Sequence, residues 1–418
     1  MHRLKKMRPT TDFGARLVRI ELPEGKRQII IESTGEVLDL SLADSPKTIL
    51  SIVDSRGRVV EHAHNWLRHL GRQAGLTFSP KTVVEYGRTI SYLCRWIEAK
   101  LPYPMLNVDE AIELLNRQDV VNWLHAMKEN GAESDNTLHA REACLKSFLD
   151  WMATKEGGYV RSEENSPWGR DGSLHQVIPT PNARSPKFIS ADTVIGVLSG
   201  MHNECERCMF HAQYDMGLRI TELIQMKLRD VPNGEQYDQA YEFIPMCISG
   251  VKGRGGNNKE RITLISRAVL RRINRYHSSQ QYKLAPDWAI NDPEKPAFLT
   301  TNQLRWHIRN SSKQFKNAVR RTNSLEELKT HWLRHGTAYS VLRSDMGKNY
   351  QDRMLMVQQM LGHRDLKTTE IYTQISPAML TSLTKAGREL NRLSEAEYIR
   401  EKTFIGPLQH KERRGHRE

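Results

Sequence analysis

The sequence predicts a mainly helical protein with a small amount of β-sheet: an N-terminal antiparallel β module, an all-helical domain and a larger mixed α+β domain. Three observations predict it. Apolar and charged residues alternate over the first forty-odd positions, apolar stripes at spacings of three and four begin near Val60, and a Gly-, Ser-, Asn- and Pro-rich stretch separates two halves. A chain of 418 residues is long enough for two or three domains with their own cores. The predicted ranges are 1–59 for the β module, 60–157 for the helical domain, 158–186 for a linker, 187–390 for the mixed domain and 391–418 for a helical, charged tail.

In RLVRIEL, Val18, Ile20 and Leu22 alternate with Arg19 and Glu21, as in a half-buried strand. The turn PEGK, the strand RQIIIE, the turn STGE and the strand VLDLSL follow, which describes a small antiparallel sheet or meander, serving either as a binding module or as a cap on the next domain. Ser79 and Pro80 form an N-cap and first-turn proline for a helix carrying Val83, Tyr86, Ile90, Leu93 and Ile97 on one face. Two shorter helices end at Gly131. Asn136 is the expected cap of a helix carrying Leu138, Leu145, Phe148, Leu149 and Met152. In the mixed domain, YEFIPMCI and ERITLI flank the turn-rich GVKGRGGNNK and predict a β-hairpin among helices.

The chain carries 62 Lys and Arg against 49 Asp and Glu, a net charge of +13 that suits a polyanion such as DNA. No apolar run reaches the ~20 residues needed to cross a bilayer. The basic start lacks the apolar stretch of a secretory signal. A cytoplasmic, nucleoid-associated protein with no membrane contact is expected. Five scattered Cys predict no disulfide framework. His202, Cys205, Cys208 and His211 have the composition of a zinc site. Their segment reads as a helix, however, and steps of three turn each side chain by ~300°, so the outer histidines diverge. No metal site is predicted.

The second half holds a set of residue types suited to attack on a phosphodiester: Arg219 in MGLRITEL, Lys252 in the hairpin turn, His331 and Arg334 in HWLRHGTA, and His363 and Tyr372 in LGHRDLKTTEIY. Two guanidiniums can hold non-bridging oxygens, a lysine can protonate a leaving oxygen, and a hydroxyl can attack. Arg219 taken alone reads equally as a helix-surface arginine paired with Glu222.

The region from about Phe188 to Leu390 closely resembles the catalytic domain of the tyrosine recombinases, the phage integrase family. MGLRITEL, VKGRGGNNKERITL, HWLRHGTA and LGHRDLKTTEIYT occur in family order. The helical region before the linker is similar to the family's core-binding domain; the N-terminal strands have no counterpart in the resemblance. The resemblance implies a site-specific recombinase in which Tyr372 forms a 3′-phosphotyrosine and releases a 5′-hydroxyl, without metal, cofactor or ATP. It implies further that Arg219 and Arg334 clamp the scissile phosphate and Lys252 is the general acid. His331 would act in proton transfer with the tyrosine, His363 would hydrogen-bond the phosphate, and Glu222 would be a support. Arg254, Lys259 and Arg261 near Lys252 are candidate phosphate contacts. His335 lies about 100° around the helix from Arg334 and is expected in the core or in a supporting place.

DNA contacts are expected from Lys81, Arg88, Arg141 and Lys146 in the helical domain and from Arg254 in the turn, although a solvated polar face accounts equally for any one of the first four. The implied partners are duplex DNA with specific sites, three further copies of the chain in a tetramer that exchanges C-terminal tails, and helper proteins of a mobile genetic element. The alternatives are a type IB topoisomerase, a metal-dependent relaxase suggested by His62-Ala63-His64, and a non-catalytic transposition accessory protein. The helical domain argues against the first, the absence of an acidic partner against the second, and the complete residue set against the third.

Overall fold

The computed structural model describes residues 14–21, 27–30, 37–40, 48–73, 79–100, 107–131, 134–169, 186–249, 260–322, 328–363, 369–373 and 391–406. These fall into two compact units, one up to residue 169 and one from residue 186. Among them, no helix is long and apolar enough to cross a membrane.

In the first unit, strand β1 (Arg16–Glu21) pairs antiparallel with β4 (Thr48–Val53), while β2 (Arg27–Ile30) pairs with β3 (Val37–Leu40). The strands are antiparallel as expected, but they form nested hairpins rather than a meander, and β4 is a strand that alternation did not reveal. Five helices follow: α1 (Glu61–Arg72), α2 (Pro80–Lys100), α3 (Val108–Glu113), α4 (Arg117–Gly131) and α5 (Asp135–Met152). Ala15 and Ile52 are buried in one apolar cluster with Trp66, Leu93 and Phe148, so β1 and β4 cap the helical core. Glu98 on α2 ties this cap down, accepting the Ala15 N–H at 2.7 Å and the Ser55 N–H at 2.6 Å.

The apolar stripe read on α2 faces that core, with Val83, Ile90, Leu93 and Ile97 buried. The Ser79 hydroxyl accepts the Thr82 N–H at 3.1 Å, as its capping position requires. On α5 the cap is Ser134, two residues before the expected Asn136. The stretch expected as linker begins folded: Trp168 is buried and donates to Glu142, and Arg161 gathers the carbonyls of Ile112 and Leu115 at 2.9 and 2.7 Å. A large aromatic and a buried guanidinium outweigh a turn-rich composition here. Residues 170–185 lie outside the described residues.

The second unit is built around α7 (Glu204–Met216), buried from Cys205 to Met216. Around it pack α6 (Ala191–Ser199), α9 (Arg267–His277), α12 (Thr330–Leu342), strand β6 (Glu260–Ser266) and α14 (Arg392–Thr403). Strand β5 (Phe243–Ser249) pairs antiparallel with β6, the two strands of the hairpin expected from the sequence, with Phe243 opposite Ser266 and Ser249 opposite Glu260. The remaining helices are α8 (Ile220–Gln225), α10 (Gln280–Lys283), α11 (Ile308–Arg321) and α13 (Tyr350–Leu361). Cys205, Cys208 and His211 are buried in α7, His211 beside Arg272, and no metal-binding group occurs among the described residues. His62 and His64 lie on α1 and bond separately to Glu113 and Ser51.

Candidate active site

Two helix ends bring the site together. Gly217 closes α7 in the left-handed region at φ +66°, and a Cβ there would stand 2.7 Å from Leu361 Cδ2. Gly362 closes α13 at φ +61°, where a Cβ would stand 2.5 Å from Arg261 Cδ. Only glycine meets both demands, positive φ and close approach. Arg334, on α12 and 2% exposed, donates from Nη1 to Gly217 O at 2.6 Å and from Nη2 to Leu361 O. One planar fork thus satisfies carbonyls at both helix ends and places its charge where helix dipoles favour it.

Beyond Gly217 the chain turns into α8 with Arg219 as its N-cap. Glu222 accepts the Arg219 N–H at 2.8 Å and the Arg219 guanidinium at 2.7 Å, so the pairing weighed from the sequence is present. Glu222 also accepts Arg261 Nη2 at 2.7 Å. Burial would raise the Glu222 carboxyl, but Arg261 first and then Arg219 hold it below its ordinary value. Three guanidiniums face one carboxylate, leaving excess positive charge for an anion. Burial, then Arg219 and Arg261, pull the Arg334 guanidinium down to about 9.

Tyr372 stands in the short turn Ile371–Thr373, 2% exposed, in an apolar cluster with Tyr339, Val357 and Leu361. Its ring lies edge-on to Tyr339 at 5.5 Å and stacks on His363 at 6.1 Å. The Tyr372 hydroxyl is hydrogen-bonded to His335 Nδ1 at 2.8 Å, and the His331 ring stands edge-on to His335 at 4.6 Å. His363 Nδ1 meets Thr369 Oγ1 at 2.9 Å. Burial pushes the phenol up to about 12, against the pull of Arg334 and Arg219. Burial, then His331 and Arg334, lower the His335 imidazole to about 3. The proton therefore rests on the phenol.

The second unit thus gathers Arg219, His331, Arg334, His363 and Tyr372. Lys252 and Arg254 lie outside the described residues. In the first unit, Lys81 and Arg88 are exposed on α2, Arg88 against Glu85 at 2.6 Å. Arg141 lies 4.9 Å over the Tyr92 ring, and Lys146 meets Asp150 at 3.4 Å. The rival hydroxyls are placed otherwise: Tyr339 donates to Pro186 O at 3.1 Å, and Tyr350 is exposed at the start of α13.

His335 takes a supporting place beside Tyr372, but its contact with that hydroxyl was not foreseen. Its angle from Arg334 is as expected, but it lies four residues after His331 and so shares that residue's helix face. That spacing was the available signal.

The histidines also predict a pH dependence. His335, His277 and His363 are lowered by burial to about 3, about 4 and about 4. An unfolded histidine titrates near 6.5, so the unfolded chain binds more protons below that pH and stability falls with acidity. The second unit's melting temperature is expected to drop steadily from pH 6.5 to pH 4, read by circular dichroism. A flat profile would contradict three buried neutral imidazoles.

Residues 189–379 match the sequence model of the Phage integrase family. The tyrosine recombinase XerD of Oceanobacillus iheyensis is 25% identical over 273 residues, 64% of this chain and 81% of that one. XerC of Psychromonas ingrahamii is 24% identical over 324 residues, 74% and 90% of the two chains. Among solved structures, the Tn1549 transposon integrase in complex with circular intermediate DNA shares the fold at TM-score 0.53 and 17% identity, over 78% of this chain and 99% of that one. XerH recombinase bound to a palindromic difH substrate does so at TM-score 0.52 and 16% identity, over 72% and 79%. Family match and fold agree with the gathered residues: residues 189–379 form a phage integrase family domain, and the chain is similar to tyrosine recombinases over most of its length.

Proposed function

We propose that this chain is a tyrosine recombinase, the integrase of a mobile genetic element, cutting and rejoining duplex DNA at specific sites through a 3′-phosphotyrosine. The Tyr372 oxygen attacks phosphorus, the bond to the 5′-oxygen breaks, and Lys252 gives that oxygen its proton. Arg219 and Arg334 neutralise the non-bridging oxygens, and His363 hydrogen-bonds the phosphate. The phenolic proton leaves toward His335, with His331 behind it in the transfer. The phosphotyrosine keeps the energy of the broken linkage, so rejoining calls for no ATP. The observation that carries this reading is the Tyr372 hydroxyl, held 2.8 Å from His335 on the helix that carries Arg334. The mobile-element reading is supported by the fold shared with the Tn1549 transposon integrase.

Lys81, Arg88, Arg141 and Lys146 contact DNA phosphates from the first unit, and Arg254 from the hairpin turn. The test is incubation with sheared genomic DNA of the source organism, with EDTA present, followed by denaturing electrophoresis. A covalent protein–DNA adduct is expected, and sequencing the trapped DNA identifies the site. Absence of any adduct over a range of temperature and salt refutes the reading.

The working assembly is a tetramer on two sites in the cytoplasm, on the nucleoid, helped by proteins of the same element and joined by exchange of C-terminal tails. In the single chain, α14 packs on its own unit: Arg207 and Arg272 donate to Thr403 O at 2.8 and 3.1 Å, and Ile399 is buried. Tail exchange would fill the same receptor from a neighbouring copy. Deletion beyond Arg388 is therefore expected to impair pairing of two sites more than binding of one, read by gel shift. It also leaves Arg207 and Arg272 short of acceptors, at ~1–3 kcal/mol for each buried group left unsatisfied. Normal recombination by the truncated protein would remove the tail from the mechanism.

A further inference from the structure

Thr369 carries a hydroxyl that is neither nucleophile nor phosphate contact. It is 0% exposed, and among the described residues its Oγ1 has one polar partner, His363 Nδ1 at 2.9 Å. It lies three residues before Tyr372, on the segment that runs into the turn Ile371–Thr373. His363 is held on other sides as well. Its backbone N–H donates to Gln358 O at 3.0 Å, just past the left-handed Gly362. Its ring lies within 5° of parallel to the Tyr372 ring, with centroids 6.1 Å apart. Among the described residues, Nε2 takes no hydrogen bond.

A neutral imidazole carries one ring proton, on Nδ1 or on Nε2, and the hydrogen bond made by one nitrogen decides which. His363 is neutral near pH 7: burial first, then Arg334, Arg219, Arg261 and His331, lower it to about 4. A buried hydroxyl must place its proton on an acceptor, and the acceptor that the described residues offer Thr369 is Nδ1. With Nδ1 accepting, the ring proton sits on Nε2. The non-bridging oxygens of a phosphodiester accept and do not donate, so only that tautomer can hydrogen-bond them. Were Nδ1 the donor instead, the threonine proton would lack an acceptor among the described residues, and a lone pair would face the phosphate.

We propose that Thr369 is a positioning residue for His363: its hydroxyl donates to Nδ1 and so fixes the ring proton on Nε2, aimed at the scissile phosphate. This rests on the reading of His363 as a phosphate contact. Because Thr369 and Tyr372 share one short segment, the same placement keeps the nucleophile and the phosphate donor in register. A serine could do the same. A valine, of nearly equal shape, has no proton to give.

The test has a spectroscopic and a kinetic arm, both on the full chain. Histidine is labelled with nitrogen-15, the His363 signals are assigned by their loss in His363→Gln, and long-range nitrogen–proton correlation near neutral pH reads which nitrogen carries the proton. The Nε2–H form is expected in the wild type and in Thr369→Ser, and a mixture of both forms in Thr369→Val. Single-turnover cleavage uses the duplex identified from the wild-type adduct. Thr369→Val is expected to slow it about 10-fold, the low end of the loss found when the partner of a metal-ligating imidazole is removed. Thr369→Ser should stay near the wild-type rate. The double variant Thr369→Val/His363→Gln should be no slower than His363→Gln alone, because a residue acting only through His363 then has nothing left to position. Losses that multiply would mean a general packing role and overturn the proposal, as would an Nδ1–H form in the wild type or an unchanged rate in Thr369→Val. If Thr369→Val fails to fold, Thr369→Ala is judged by the same comparison. A wild-type rate in His363→Gln removes the phosphate contact and the proposal with it. A slow His363→Gln beside a fast Thr369→Val leaves that contact standing and removes only the role of Thr369.

Discussion

Tyr372→Phe is expected to bind the target duplex and to form no covalent adduct, its cleavage falling below detection. The loss is total because the oxygen removed is the atom that would bond to phosphorus. The fold should survive, since phenylalanine keeps the ring against Tyr339 and His363 in the same apolar cluster. What disappears is one hydrogen bond to His335, a loss on the order of 1 kcal/mol. Tyr339 is the nearby rival hydroxyl, but it is fully buried and already donates to Pro186 O. Tyr339→Phe should therefore still trap DNA. Peptide mapping of the wild-type adduct gives an independent check. An adduct formed by Tyr372→Phe would move the nucleophile elsewhere and end the mechanism proposed here.

Some of this site was legible in the sequence because its chemistry sits in short, ordered strings whose backbone demands are local. MGLR and LGHR each contain a glycine at a helix end followed by a functional side chain, and both glycines take the left-handed conformation. The helix carrying HWLRHGTA places His331 and Arg334 one turn apart by its pitch alone. Tertiary choices were harder to read. His335 depended on whether the angle from Arg334 or the four-residue step from His331 governed, and only packing against Tyr372 decides that. Arg261 looked like one of several basic residues near Lys252, because nothing local announces that it turns inward to Glu222. Thr48–Val53 lacks strict alternation and became visible only through pairing with Arg16–Glu21. Trp168 and Arg161 were hidden in a stretch whose Gly, Ser and Asn content read as linker. In each case long-range contact outweighed local composition.

Arg334 and Arg219 are assigned one chemical task, yet substitution should separate them. Arg334→Lys keeps the charge but cannot serve both Gly217 O and Leu361 O from a single ammonium. One buried carbonyl is left unpaired, at a cost of ~1–3 kcal/mol, and about 2–4 °C of melting temperature is expected per kcal/mol in a unit of this size. Cleavage should fall by about 10²–10³-fold, the usual effect of removing one donor that stabilises transition-state charge. Arg219 is 32% exposed in its side chain, and its backbone bond to Glu222 does not depend on residue type. Arg219→Lys should therefore lose a comparable factor in cleavage while stability changes by about 0–1 kcal/mol, as for a solvent-screened pair. Thermal melts beside single-turnover adduct formation read both quantities. If the two variants melt alike, Arg334 does not join the helix ends as its geometry indicates. If they melt differently but Arg334→Lys cleaves at the wild-type rate, Arg334 serves the fold alone and the phosphate clamp must be sought in other cations.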